Sequence, residues 1–192
     1  IRKVAQEIVE IETQLRKNPP TSEQLTKANE GSAIATLRTL TVAQAQFQSQ
    51  AQVDQDSDGT GEFGLFNELS GTTERRAAGD HVAPCVNPTF ISSKMGVTTA
   101  KGYATKSGYY FQVFLPHFKK PLTDGNKAVN GTKDYASINE QEMRWVAYAW
   151  PSNKNSGQRC FAVDMAGEVL VIPNTRPDGT LIYEGNNGPA YD

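Results

Sequence analysis

The chain has 192 residues, with 19 basic and 21 acidic side chains and a formal charge of −2. That balance excludes the concentrated basic footprint of a nucleic-acid binder, and no apolar run reaches the ~18 residues of a membrane-crossing helix. At roughly 100–200 residues per domain, the length suits one domain with an appendage. Such a chain can bury a sizeable core.

Ile1 rather than Met opens the sequence, which leaves an upstream signal peptide or membrane anchor open. Residues 1–17 predict a helix whose apolar positions are Ile1, Val4, Ile8, Ile11 and Leu15. The alternating spacing of 3 and 4 is a narrow a/d seam, flanked by charged and amide side chains. A helix this short is marginal alone in water, so the seam needs cover, from the same subunit's body or from another subunit. Asn18-Pro19-Pro20 ends the helix, because a residue before proline is pushed out of the α region.

Thr21 and Gln24 then form a capping-box signature. A long helix follows over about 22–50, with a modest stripe through Ile34, Leu37, Leu40, Ala43 or Gln44, and Phe47. Gly31 within it marks a bend or a close approach.

Strand formers dominate the second half. Tyr109 to Leu115 is one run, stopped by Pro116, and Arg144 to Trp150 is another, stopped by Pro151. Residues 159–163 and 168–172 flank a short turn ending in Gly167, which is a hairpin pattern. A further turn at Pro177-Asp178-Gly179 precedes a last candidate strand, residues 180–184. The expectation is an α+β fold: a long N-terminal helix covering one face of an antiparallel meander of four or five strands. Residues 1–20 form a helical arm and residues 21–192 the body, with its sheet over about 107–184.

Between helix and sheet lies Asp54-Gln55-Asp56-Ser57-Asp58-Gly59-Thr60-Gly61-Glu62. Carboxylates at alternate positions followed by glycine match the opening of a calcium loop. Asp54, Asp56, Asp58 and Glu62 are the candidate Ca2+ ligands, with Thr60 offering its carbonyl. The residue at the twelfth position is Leu65 instead of a bidentate glutamate, with Glu62 and Glu68 the nearest substitutes. The bland alternative is a solvated acidic turn. Gly59-Thr60-Gly61-Glu62-Phe63-Gly64 also reads GxGxxG, but three aspartates beside it would repel a pyrophosphate.

Catalytic patterns are scarce. His81 and His117 are the only histidines, and no GxSxG, SxxK or HExxH spacing occurs. No catalytic residue is expected, and the strand aromatics predict core and cross-strand pairs in preference to a ligand shelf.

The helix segment Ala28-Asn29-Glu30-Gly31-Ser32-Ala33-Ile34-Ala35-Thr36-Leu37-Arg38-Thr39-Leu40, continuing to Phe47, resembles the segment that follows the membrane anchor in bacterial type IV pilin-like and pseudopilin proteins. The stretches Asp56 to Gly64, Leu69-Ser70-Gly71, Ser107 to Phe111 and Trp145 to Pro151 extend the likeness over roughly residues 28–172. It departs at the start, where a charged amphipathic helix and Pro-Pro replace the apolar anchor. The resemblance implies a non-enzymatic, exported structural protein at the cell surface, outside the cell or in the periplasm. Such a subunit assembles with copies of itself into a filament through its N-terminal helices. A monomeric minor pseudopilin or adhesin-like module is the alternative. Export favours a disulfide between Cys85 and Cys160 over two buried thiols. That bridge would contribute about 4 kcal/mol in the chain-entropy picture. Asn130-Gly131-Thr132 is a glycosylation-type sequon.

Overall fold

A computed structural model describes residues 2–78, 81–118, 120–126 and 135–189, with backbone alone at Arg2, Val9, Ile11, Leu15 and Arg16. Helix α1 (Arg2–Lys17) gives way at the Pro-Pro pair to α2 (Ser22–Ser49). The capping box at the start of α2 is reciprocal: Gln24 N donates to Thr21 Oγ1 at 3.2 Å, and Thr21 N donates to Gln24 Oε1 at 2.8 Å. Two otherwise orphaned amides are thereby satisfied at the helix entrance.

A four-residue helix α3 (Phe66–Leu69), a small hairpin of β1 (Arg75–Arg76) and β2 (Val82–Ala83), and a 3-10 turn at Ser93–Gly96 come next. The sheet proper contains β3 (Ala104–Lys106), β4 (Tyr109–Phe114), β5 (Val146–Pro151), β6 (Cys160–Asp164) and β7 (Leu170–Ile172). Its spatial order is the chain order, and every neighbouring pair is antiparallel. A helix, α4 (Tyr135–Met143), lies in the connection from β4 to β5. The fold is α+β: a long helix with an antiparallel five-stranded sheet.

Alternation along the strands divides the sheet into two faces. Tyr109, Phe111, Val113, Ala147, Ala149, Phe161 and Val163 join Ala33, Leu37, Leu40 and Phe47 of α2 in the main core. The other face carries a smaller aromatic cluster, in which Trp150 and Cys160 pack with Tyr103, Tyr110 and Tyr183. Trp150 donates its indole N–H to Gly185 O at 2.8 Å. A Cβ at Gly188 would lie 2.4 Å from the Trp150 ring, so the C-terminal segment reaches that ring only through glycine. The strand aromatics are core or cross-strand partners: Tyr110 and Trp150 are register neighbours with ring centroids 5.9 Å apart.

Helix and sheet are also joined by polar contacts. Glu30, 5% exposed, accepts from Arg159 Nη2 at 2.5 Å and from Gln158 N at 3.1 Å. Buried Gln44 bonds both backbone groups of Gly64 at 2.8 Å, acting as a one-residue strand partner.

Three expectations change. Cys85 and Cys160 are not bridged: both are free, Cys85 exposed and Cys160 buried. The reason is layering: Cys160 belongs to the cluster behind the sheet, whereas Val86, next to Cys85, belongs to the core on the helix side. Burial pushes the Cys160 thiol up to about 12, so it stays protonated. Gly31 marks no close approach, because a Cβ there would meet nothing within 4 Å, and α2 continues through it. Residues 180–184 form no strand, only bridges between Thr175 and Leu181 and between Glu184 and Asn187. The sheet therefore spans 104–172. The sequon at Asn130 lies outside the described residues.

Candidate functional site

Val53, 1% exposed, anchors the acidic loop where it leaves α2. Glu62 N donates to Val53 O at 3.0 Å and closes the loop at its neck. The chain can turn this tightly because Ser57 (φ 62°) and Gly59 (φ 92°) take left-handed conformations. Inside the turn the aspartates capture nearby amides. Asp58 N donates to Asp56 Oδ1 at 3.3 Å, Gly59 N to Asp54 Oδ2 at 3.2 Å and Thr60 N to Asp58 Oδ1 at 2.7 Å. One carboxylate oxygen from each of Asp54, Asp56 and Asp58 lies within 4.8 Å of the others.

Glu62 is wholly buried. Its Oε1 accepts from Gln55 N at 2.9 Å and from Gln55 Nε2 at 3.3 Å, while its Oε2 has no hydrogen-bond partner. Burial raises the Glu62 carboxyl above its usual range, opposed by the Gln55 bonds and by the charge of Arg76. Thr60 is exposed.

A fifth carboxylate enters from the end of α4. Phe63 N donates to Gln141 O at 3.0 Å, and the Gln48 side-chain amide donates to Glu142 O, so α4 ends against both the loop and the last turn of α2. Glu142 is pushed up to about 7, first by burial and then by the charges of Asp58, Asp56, Glu62 and Asp54 in that order. Among the described residues four buried side-chain polar atoms lack a hydrogen-bond partner, and three are carboxylate oxygens of the loop and of the end of α4: Asp54 Oδ1, Glu62 Oε2 and Glu142 Oε1. Buried unpaired acceptors are costly, and negative ones more so.

Glu68 does not belong to the group. It is 1% exposed and pairs with Arg76 Nε at 3.0 Å, while its Oε2 accepts from Leu65 N at 2.9 Å. Arg76 also donates to Phe63 O at 2.5 Å and to the Gln141 side chain, forming a cationic post behind the loop. Neither Arg76 nor Glu142 carries a local sequence signal, because both meet the loop only through tertiary contacts. Of the two histidines, His81 is exposed beside β2, and the His117 ring lies 4.7 Å from that of Phe118.

The other candidate surface is α1, where every side chain that the structure describes is exposed. Val4 is 58% and Ile8 51% exposed. Ile1 lies outside the described residues, as do the side chains of Ile11 and Leu15.

Compared with known proteins, the chain matches no family model, no curated protein and no solved structure.

Proposed function

We propose that this chain is a non-enzymatic, exported structural subunit of pilin-like build that associates with copies of itself through α1, at the cell surface or in a filament. The observation that supports this most is the solvent-facing state of α1. A 16-residue helix with a seam of branched apolar side chains has little reason to persist in water unless something covers the seam. Val4 and Ile8, the seam members with described side chains, are not covered by their own subunit.

A second copy suits this seam for two reasons. The a/d spacing is that of helix pairing, in which identical stripes interdigitate. Charge also follows a pattern along the helix, with Arg2 and Lys3 at the start, Glu7, Glu10 and Glu12 in the middle, and Arg16 and Lys17 at the end. Two copies offset by about two turns would set acidic middles beside basic ends, an arrangement that favours a growing array over a closed in-register pair. The long helix on an antiparallel sheet accords with the pilin-like resemblance of residues 28–47.

Light scattering over a concentration series tests this reading. The wild-type chain is expected to grow in mass with concentration. Ile8→Asp should remain monomeric, with association weakened by about tenfold or more, since each ~1.4 kcal/mol is a factor of ten, while its sheet domain melts at the wild-type temperature. A wild-type chain that stays monomeric throughout would support the adhesin-like binding module instead. Equal growth of Ile8→Asp would remove the seam from the interface.

A further inference from the structure

We infer that Asp54, Asp56, Asp58 and Glu62, together with Glu142 of α4, form a binding site for a calcium-type divalent cation, in which Glu142 takes the part that a contiguous calcium loop gives to its twelfth residue. The inference is independent of self-association.

The spacing within the loop is the first ground. Counting Asp54 as position 1, the acidic side chains fall at positions 1, 3, 5 and 9, with Gly59 at position 6, where a sharp turn requires glycine. Thr60 at position 7 is where such loops use a carbonyl. Position 12 is Leu65, which is fully buried in the core and supplies no oxygen. The local sequence therefore lacks one strong ligand, and the fold packs the end of α4, with Glu142 80 residues beyond Glu62, against the loop.

The unpartnered oxygens are the second and separate ground. An acidic turn on a surface is common and needs no ion. Glu62 is not on the surface: it is fully buried, and one of its oxygens is held by Gln55, between Asp54 and Asp56. The remaining Glu62 oxygen, one from Asp54 and one from Glu142 are buried without donors. Arg76 is occupied with Glu68, Phe63 and Gln141, and it gives Glu62 no hydrogen bond. A hard cation held by the aspartates would bring a positive charge to these donor-less oxygens and relieve the repulsion among five carboxylates.

Donor chemistry selects the ion class. The group holds oxygen atoms only, with no imidazole or thiolate, which disfavours zinc and copper. Several carboxylates on a loop and a separate helix suit the larger, variable coordination shell of Ca2+. Mg2+ demands near-ideal octahedral geometry and keeps its waters, so it should bind more weakly.

Calorimetric titration of the chelator-treated full chain with CaCl2, and separately with MgCl2, tests the site. One Ca2+ per chain is expected, with Mg2+ weaker by about tenfold or more. Tm should rise by about 5–10 °C at a hundredfold calcium excess over Kd. Glu142→Gln should weaken calcium binding by about tenfold or more, yet without calcium it should melt no lower than wild type, because it removes a repelling charge. Asp54→Asn with Asp56→Asn should abolish binding. No heat and no Tm shift for the wild-type chain would overturn the site, and unchanged affinity in Glu142→Gln would overturn the part given to α4. Equal affinity for Mg2+ would overturn the calcium class.

Discussion

Arg76→Met is expected to destabilise the protein by about 3–5 kcal/mol, the usual cost of removing one partner from a buried ion pair. Arg76 is 4% exposed and Glu68 1%, so solvent cannot compensate the stranded carboxylate. The substitution also takes donors from Phe63 O and the Gln141 side chain, which join the loop, β1 and α4. Against a typical total of 5–15 kcal/mol, that loss is large. Urea unfolding measures it, and a loss below about 1 kcal/mol would show that the pair is not a structural post.

The same pair sets an acid limit. Burial alone would raise the Glu68 carboxyl, but the Arg76 charge and the hydrogen bonds from Arg76 and Leu65 outweigh it and hold the group below its ordinary 4.5. A carboxyl lowered by folding contributes its stability above the unfolded pKa and loses it as pH falls through the folded value. Wild-type stability should therefore decline below about pH 4.5. In Arg76→Met the sign reverses: burial acts with its main opponent removed, the folded carboxyl lies above the unfolded one, and mild acidification should recover stability. Unfolding curves at several pH values distinguish the two slopes.

Phe47→Ala should cost about 3–5 kcal/mol, as large aromatic truncations in a core do. Phe47 is fully buried in the last turns of α2 and meets Phe90 edge-on at a centroid distance of 5.3 Å. It also crowds Gly64, where a Cβ would approach its ring to 3.0 Å. One side chain thus packs the helix against both the segment that follows the acidic loop and the chain before the 3-10 turn. Phe47→Leu, which keeps most of the volume, should lose less than half as much. For a chain of this size the alanine variant should melt about 10 °C lower or more. A melting point within 2–3 °C of wild type would mean that the cavity collapses at little cost.

The features readable from the sequence were those with a short-range physical cause. The capping residues Thr21 and Gln24, the Pro-Pro break, the helical stripe through Leu37, Leu40 and Phe47, and the glycine turn between β6 and β7 all act within one or two turns of chain. Elements without such a cause escaped. Helix α4 has the sequence YASINEQEM, which carries almost no amphipathic contrast, and β3 has only three residues. Residues 180–184 have strand composition, yet alternation does not supply a partner, and the sheet already ends at β7. The site divides in the same way. Asp54, Asp56, Asp58 and Glu62 are close in the chain, and their spacing is visible. Glu142 and Arg76 reach the loop through the tertiary fold, and no spacing rule brings them there. The free cysteines teach the converse: two thiols and an expected export route do not make a bridge when alternation along β6 turns Cys160 to the back of the sheet.

The reciprocal Thr21–Gln24 cap means that α2 begins on its own authority, by bonds made within four residues and owing nothing to α1. A chain beginning at Thr21 is consequently expected to fold as the body does in the full chain. Arm and body are thereby separable in folding, and a change in one need not be transmitted to the other.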